Sequence, residues 1–171
     1  VWFRPIIIAD LMALTHRFAK CAACCCLCQI AYRFCWLIQK PGLWDWAHAG
    51  WRGSVGEIAL KTVQMMCRHY GCNPEKNAGG DRTSIGSCCY EVDDKVLTAG
   101  AKYRECFTLK PNGKYQLDLW LMNRLQLEAA GLERGNIHCA ATCTCDNREL
   151  FFSYRAELGK TGRMGVSICR R

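Results

Sequence analysis

Two amphipathic segments constrain the fold of this chain more than any other feature of its sequence. In residues 55–70 and 117–127, apolar side chains recur at helical spacing: Val55, Ile58, Ala59, Val63 and Met66 in the first, and Leu117, Trp120, Leu121, Leu125 and Leu127 in the second. Gly71 and Gly131 follow these segments, and glycine commonly ends a helix because it adopts the left-handed conformation without strain. The sequence therefore predicts two helices, each with one buried face.

Shorter elements lie between and after these helices. We expect a third helix from Asp93 to about Tyr103, and a strand at residues 136–140. Residues 143–168 are typical of a loop, a short strand, a charged turn and a final strand. Helices that alternate with short strands predict a layered α/β domain.

Length and charge limit what such a domain can do. The 171 residues suffice for one domain with a real core. There is no run of 18 apolar residues and no secretory leader, so we expect a cytoplasmic protein without a membrane partner. The net charge is +8, but no dense basic run favours nucleic acid. A basic pocket for an anionic or phosphorylated small molecule explains this charge more simply.

Fifteen cysteines are unusual for a cytoplasmic chain. Cys24, Cys25, Cys26 and Cys28 have no distant partner pair at zinc spacing, and adjacent cysteines close disulfides badly. The cluster therefore fits none of the usual roles of cysteine. The CTC at residues 143–145 could contribute to a soft-metal site but also lacks partners at zinc spacing.

Four blocks of sequence resemble one family. They are AHAGWRG at 47–53, SIGSCCYEV at 84–92, KYQLDLWLMNRLQLEAAG at 114–131, and the segment at 143–165 that contains CTC, ELFFSYR and GKTGRMG. In this order they resemble the laccase-domain family, also called bacterial polyphenol oxidases, multifunctional purine nucleoside phosphorylase/adenosine deaminases, or peptidoglycan-editing factors. The resemblance implies an α/β sandwich with a mixed central sheet. It also implies that an N-terminal part of the family fold is missing or garbled here.

The departure from the family begins before residue 47. Family members carry a box resembling ADCLPVLLADP, whereas residues 28–40 read CQIAYRFCWLIQK; codons for these residues, read one base earlier, permit PDCLPVLLADPE. Residues 77–83, shifted one base the other way, permit LAAIGP. We therefore interpret residues from about 20 to 46, and again 77–83, as out-of-frame translation, with divergent sequence and buried thiols as the alternative. Residues 1–46 are then an atypical remnant, and 47–171 form the catalytic region of a single domain.

The resemblance implies a metal site at His48 and Cys88. Imidazole and thiolate are ligands that Zn²⁺ prefers, and Cu²⁺ is the alternative. Taken alone, His48 is more often structural, and Cys88 could be a buried free thiol. A third family ligand is a histidine, which residues 100–106 do not supply; Glu105 or Cys106 could substitute.

Three further residues are candidates for the site. Arg52 could bind phosphate or form a surface salt bridge. Glu91 could move a proton beside the metal, or complement a helix dipole. Arg155 is expected to close the substrate pocket, on the resemblance alone.

The resemblance implies a purine nucleoside enzyme that performs phosphorolysis or adenosine deamination with phosphate and nucleoside as small-molecule partners. Zinc lowers the pKa of a bound water, which is the chemistry that deamination needs. Copper-dependent phenol oxidation is an alternative, although four histidines are few for multicopper chemistry. Editing of peptidoglycan precursors and an inactive remnant are further alternatives.

Overall fold

The computed structural model describes residues 24–28, 32–37, 44–81, 83–162 and 164–168. The strands are β1 (Cys24–Cys28), β2 (Tyr32–Leu37), β3 (Trp44–Ala49), β4 (Ala78–Asp81), β5 (Glu91–Val92), β6 (Phe107–Leu109), β7 (Tyr115–Leu117), β8 (Ile137–His138) and β9 (Met164–Ile168). The α-helices are α1 (Trp51–Val55), α2 (Ile58–Tyr70), α3 (Asp94–Ala99) and α4 (Leu119–Ala129), with 3-10 turns at Pro74–Lys76, Ala101–Cys106 and Arg134–Asn136. None of these helices is long and apolar enough to cross a membrane.

The strands form three sheets of different character. The four-stranded sheet has the order β3-β2-β4-β8, in which β2 runs antiparallel to β3 and β4 while β4 and β8 are parallel. A three-stranded antiparallel sheet has the order β5-β7-β6, and β1 pairs antiparallel with β9. The predicted mixed α/β fold is therefore confirmed. The division at residue 46 stays a prediction, since residues 1–23, 29–31 and 38–43 lie outside the described part.

The core lies between the four-stranded sheet and helices α2 and α4. Ala47 and Ala49 alternate along β3 and are both fully buried, which is the period of a strand with one face against a core. Helix α2 packs against this strand and against α4. The largest of the apolar side chains that are nearly inaccessible are Ile58, Met66, Leu117, Met122, Leu127 and Val63.

Both predicted amphipathic helices are confirmed, but each begins later than expected: α4 begins at Leu119, so Leu117 belongs to β7, and α2 begins at Ile58. The helix begins at Ile58 because Glu57 adopts φ 61°, a left-handed conformation that separates α1 from α2. It ends where Gly71 adopts φ 60° and its N–H donates to the carbonyl oxygen of Cys67. Because glycine tolerates this conformation, the presence of Gly71 alone was enough to predict where the helix ends.

Buried polar contacts hold α1 against α4. Ser54 and Asn123 are fully buried, and the Asn123 Nδ2 donates to the Ser54 Oγ at 2.9 Å. The Gln126 Nε2 donates to the Ser54 carbonyl oxygen at 2.6 Å. Because leaving such groups unpaired costs roughly 1–3 kcal/mol each, these contacts fix the orientation of α1 and of Trp51 and Arg52 upon it.

Two local predictions were wrong. The helix expected to reach about Tyr103 ends at Ala99 and continues as the 3-10 turn Ala101–Cys106, in which Tyr103 has non-helical angles. No strand forms between Cys143 and β9 among the residues described there, because the chain folds into successive turns, one closed by the hydrogen bond from Phe151 N to the Asn147 carbonyl oxygen at 3.0 Å. The final strand, β9, is confirmed.

Candidate metal centre and substrate pocket

The SIGSCC turn and the CTCD loop lie side by side, although they are far apart in sequence. Ser84 and Cys143 form an isolated parallel bridge. The Thr144 N–H donates to the Ser84 carbonyl oxygen at 3.0 Å, and the Ser84 N–H donates to that of Thr142 at 3.3 Å. The Trp120 Nε1 on α4 donates to the Ser84 Oγ at 2.6 Å. This bridge therefore brings two cysteine-bearing segments to one place.

Four side chains with metal-binding atoms converge there: Cys88, Cys89, Cys143 and Asp146, which we call the thiol–carboxylate group. Their sulfur and carboxylate atoms all lie within 4.8 Å of one another. The Cys88 and Cys89 thiols each donate to one carboxylate oxygen of Asp146, both at 2.9 Å. Sulfurs on one tetrahedral Zn²⁺ lie about 3.8 Å apart, given Zn–S bonds of about 2.3 Å, so the donor set fits one such ion.

Two thiols of this group, Cys88 and Cys89, hold their protons tightly. Burial, followed by the hydrogen bond to Asp146, raises the pKa of Cys88 to about 12 and that of Cys89 still further. The same hydrogen bonds lower the pKa of Asp146. Without a cation, Cys88 and Cys89 are therefore neutral thiols beside one carboxylate.

A pocket of about 260 Å³, which we call the basic pocket, is formed in part by the chain segment that follows Cys89. It is lined by Trp51, Tyr90, Glu91, Val92, Asp93, Val96, Lys114 and Arg155. Tyr90 and Glu91 directly follow Cys88 and Cys89 in the chain. The Arg155 guanidinium lies 5.3 Å from the centre of the Tyr90 ring, and its Nη1 donates to the Glu91 carbonyl oxygen at 2.9 Å. Arg155 therefore lines a pocket, and its expected role in closing a substrate pocket stays a prediction.

Glu91, which lines this pocket, is surrounded by two lysines and an asparagine. Its carboxylate accepts hydrogen bonds from the Lys110 Nζ at 2.7 Å and the Asn112 Nδ2 at 3.1 Å, and forms an ion pair with Lys114 at 3.1 Å. Mainly through Lys110, and then through Asn112 and Lys114, these contacts lower the pKa of Glu91 to about 2. The carboxylate is therefore ionised at neutral pH and suits a hydrogen-bond acceptor better than a proton donor.

Arg52 is exposed on α1, and its guanidinium lies 4.5 Å from the centre of the Trp51 ring. Burial raises the pKa of Tyr90, while the charges of Arg155 and Arg52 oppose that shift. Both guanidiniums therefore act on the same phenol. Arg155 lines the basic pocket, whereas Arg52 lies against Trp51, one of its lining residues.

Of the two expected metal ligands, only Cys88 belongs to the thiol–carboxylate group. Cys88 belongs to the thiol–carboxylate group, whereas His48, half-buried on β3 opposite Arg33 of β2, is not a member of it. Of the suggested substitutes for the third ligand, Cys106 packs into the hydrophobic core and Glu105 is exposed. The pairing of His48 with Cys88 stays a prediction.

Sequence reasoning missed how Cys143 and Asp146 would be used. The sequence indicates Cys143 and Cys145 as a possible soft-metal element, but they have no partners at the short spacing of zinc motifs. The partners come instead from a turn 58 residues earlier, counted from Asp146 to Cys88. A cysteine-containing turn at each of two separated places was the only signal available.

Comparison with known proteins agrees with this architecture. The purine nucleoside phosphorylase YlmD of Geobacillus stearothermophilus is 39% identical over 142 residues, which cover 77% of this chain and 50% of the relative. The adenosine deaminase RL5 of an unknown prokaryotic organism is 35% identical over 138 residues, covering 78% of this chain and 52% of the relative. The crystal structure of YlmD from Geobacillus stearothermophilus matches with a TM-score of 0.78 and 35% identity, over 93% of this chain and 57% of that one.

The chain spans about half the length of the curated relatives it matches. Within that length, residues 38–171 match the family described as multi-copper polyphenol oxidoreductase laccase. Since this match covers most of the chain, the protein belongs to that family.

Proposed function

We propose that this chain contributes to a metal-dependent purine nucleoside enzyme that cleaves its substrate by phosphorolysis. The observation that carries the proposal is the basic pocket, which is lined by two aromatic rings, two cations and two carboxylates, in a segment that directly follows Cys88 and Cys89. The names of the relatives, mostly purine nucleoside phosphorylases, support the same reaction.

The cations supply the site for phosphate. Arg155 uses one N–H at the Glu91 carbonyl oxygen, and a guanidinium has five donors, so others are left for an anion. Lys110 and Lys114 face the single carboxylate of Glu91, which leaves this cluster with a net positive charge. Arg52 adds a further positive charge at Trp51. A dianion in the pocket would therefore meet favourable charge from Arg155 and Lys114, while Asp93 is a second carboxylate, after Glu91, in the lining.

The aromatic rings supply the site for the base. Trp51 and Tyr90 both line the pocket, and stacking of a nucleobase on an aromatic ring contributes roughly 1–3 kcal/mol. The ionised Glu91 accepts hydrogen bonds, as the hydroxyls of a ribose would require. In this arrangement the base stacks, the ribose is held by Glu91, and phosphate lies between Arg155 and Lys114.

The reaction exchanges one bond at the ribose. A phosphate oxygen attacks C1′, the bond from C1′ to the purine nitrogen breaks, and the released base takes up a proton. Arg155 and Lys114 orient the attacking phosphate and hold it beside the ribose, which lowers the entropic part of the barrier. Arg52 is placed to compensate the charge of the same anion.

A metal ion belongs to this proposal through Cys88. The resemblance assigns His48 and Cys88 to a zinc ion, with copper as the alternative, and the thiols grouped around Cys88 are donors suited to either metal. Such an ion supplies Lewis-acid polarisation of an oxygen ligand when it is bound. Cys88 immediately precedes the segment that lines the pocket, which would put this chemistry next to the substrate.

Adenosine deamination is the second candidate, because one relative is named an adenosine deaminase. The two reactions differ in their need for phosphate. Deamination replaces the exocyclic amine of adenosine with oxygen from water and releases ammonia, whereas phosphorolysis releases a free base.

The test is incubation of the metal-loaded chain with inosine or adenosine, with and without phosphate, followed by chromatography of the products. We expect hypoxanthine and ribose 1-phosphate from inosine only when phosphate is present. If adenosine yields inosine and ammonia in the absence of phosphate, the proposed reaction is deamination and not phosphorolysis. Oxidation of phenols by the copper-loaded chain without release of base would favour the oxidase, and the absence of all products would favour an inactive remnant.

A further inference from the structure

The thiol–carboxylate group has the features of a complete binding site for one cation. Three sulfurs and one carboxylate converge within 4.8 Å, and they are the one group of three or more such side chains among the residues described. Cys143 is buried, Cys89 is half-buried, and Cys88 and Asp146 are exposed, so the group has a protein-facing side and a side open to solvent. An ion could enter and exchange from that open side.

We propose that Cys88, Cys89, Cys143 and Asp146 together bind one soft divalent cation of the Zn²⁺ class through three thiolates and one carboxylate. The proposal deepens the proposed function, on which it rests only for the use of a metal by this chain. It assigns to this chain a ligand set that does not require the absent third histidine.

The backbone of Gly86 forms the floor of the site. Its N–H donates to the Cys143 sulfur at 3.2 Å, which supplies a positive dipole to a sulfur that becomes a thiolate. A Cβ atom at this position would lie 3.1 Å from the Cys88 sulfur, 3.2 Å from the Cys143 Cβ and 3.0 Å from the Trp120 ring. Only a residue without a side chain lets the turn approach both cysteines this closely.

The frame around the site is built before any ion binds. The bridge between Ser84 and Cys143 fixes the spacing of the two segments, and Trp120 holds the Ser84 hydroxyl from α4. The side-chain amide of Gln116 on β7 donates to the Cys88 carbonyl oxygen at 2.6 Å, which orients the backbone of the first ligand. Contacts that hold ligands in place contribute strongly to metal affinity.

The charge balance favours a divalent cation. In the absence of an ion, the Asp146 carboxylate accepts hydrogen bonds from both the Cys88 and Cys89 thiols. An ion that binds all three sulfurs as thiolates displaces three protons to solvent. The two positive charges of a divalent ion then offset two of the three new negative charges, and the Gly86 N–H lies against the Cys143 sulfur. Three sulfurs exclude Mg²⁺ and Ca²⁺, which take oxygen ligands.

The chain contains a natural comparison for this site. The Cys139 thiol donates to the Asp81 carboxylate at 3.1 Å, so a cysteine–aspartate pair exists elsewhere in the fold. That pair is not part of any group of three donor side chains among the described residues. A cation that merely favours a thiol next to a carboxylate would bind at both places.

The experiment is a titration of the full chain with Co²⁺, which stands in for Zn²⁺ and absorbs light when thiolates bind it. We expect one Co²⁺ per chain with thiolate charge-transfer absorption, and displacement by Zn²⁺. Cys143→Ser and Asp146→Asn should each weaken Co²⁺ binding at least about tenfold, and Cys143→Ser should also lower the charge-transfer intensity. Circular dichroism checks that each variant is folded; Asp146 is exposed, so Asp146→Asn remains informative if Cys143→Ser does not fold.

Two controls give the opposite expectation. Cys139→Ser and His138→Gln, the latter at an exposed position of β8, should leave the Co²⁺ affinity and the charge-transfer absorption unchanged. The proposal is overturned if Asp146→Asn binds Co²⁺ as the wild type does, if Cys139→Ser removes the absorption, or if His48→Gln abolishes it, since the last result would assign the ion to His48 and Cys88.

These titrations contain no nucleoside, so they separate this proposal from the proposed function. If the variants change Co²⁺ binding as expected but the chain does not turn over inosine, the proposed function is contradicted and the proposed metal site is supported. If the chain turns over inosine but Cys143→Ser and Asp146→Asn bind the metal with unchanged affinity, the proposed function is supported and the proposed metal site is contradicted.

Discussion

Arg155 donates a hydrogen bond from Nη1 to the main-chain oxygen of Glu91 over 2.9 Å, although 64 residues separate the two in sequence. Its guanidinium also lies against the Tyr90 ring. The C-terminal turn region is thereby attached to the segment that follows the cysteine pair. Because Arg155 also lines the basic pocket, it is a sensitive point for mutation.

Arg155→Ala should raise the KM for phosphate roughly tenfold, equivalent to about 1.4 kcal/mol, because a charged donor is lost from the pocket. Arg155→Lys should recover part of this loss, since an ammonium keeps the charge without the planar fork. Steady-state kinetics of inosine cleavage at varied phosphate measure the effect. Arg134→Ala is the control, because Arg134 pairs with Glu128 away from the pocket; an equal KM for Arg155→Ala and wild type would remove Arg155 from phosphate binding.

Acid should destabilise the chain partly through Glu91. Its pKa is lowered from 4.5 to about 2 in the folded protein, so its contribution to the free energy of unfolding is fully present above about pH 4.5 and is lost as the pH falls toward 2. Urea unfolding between pH 6 and 2 should therefore show a weaker acid dependence in Glu91→Gln than in the wild type.

The cause of that shift can be tested separately. Lys110 makes the largest contribution to the lowered pKa of Glu91, so Lys110→Met should move the carboxyl titration of Glu91 toward its ordinary value. Carbon-13 NMR of the glutamate side chains follows the midpoint. A midpoint near 4.5 in the wild type would contradict the cation cluster around Glu91.

Gly100→Ala should destabilise the fold by about 1–3 kcal/mol, the usual effect of overpacking a core. A Cβ atom at this position would lie 2.7 and 2.9 Å from two atoms of the Phe107 ring, and Phe107 is buried. Gly135→Ala is the matched control, since a Cβ there meets nothing within 4 Å, and we expect a change within about 0.5 kcal/mol. Chemical denaturation measures both, and equal stability of the two variants would show that the Phe107 ring can move aside.

The nucleotide sequence of the parent gene tests the interpretation of residues from about 20 to 46 and of 77–83. We expect that single-base shifts restore PDCLPVLLADPE at residues 28–40 and LAAIGP before Ser84. The backbone of β2 and β4, which lie within these segments, is paired within the central sheet. If no single-base change restores both boxes, the segments are genuine sequence of this protein.

Much of the fold could be predicted because its signals are local. The spacing of Ile58, Val63 and Met66 determines which face of α2 is buried, and Gly71 determines where the helix ends. The strand expected between Cys143 and β9 failed for the converse reason. An apolar sequence predicts a strand only where the side chains are buried. In this segment Leu150 is 70% exposed, so its apolar character did not indicate a buried strand.

The site could be predicted only in part. The sequence indicated Cys88 as a candidate ligand and Glu91, Arg52 and Arg155 as candidates for the pocket, largely through resemblance. It did not indicate that Glu91 would face Lys110 and Lys114, since that contact depends on how the β6–β7 hairpin lies beside β5. The partners of a surface carboxylate are set by neighbouring strands and not by its own neighbours in sequence.

By itself, the sequence determined the two amphipathic helices, their glycine ends and the α/β class, because helical spacing and backbone freedom act over a few residues. Only the tertiary structure decided that Cys88 and Cys89 would meet Cys143 and Asp146. That meeting requires the Ser84–Cys143 bridge between distant segments, and the free energy of such a contact comes from the packing of the whole domain around it.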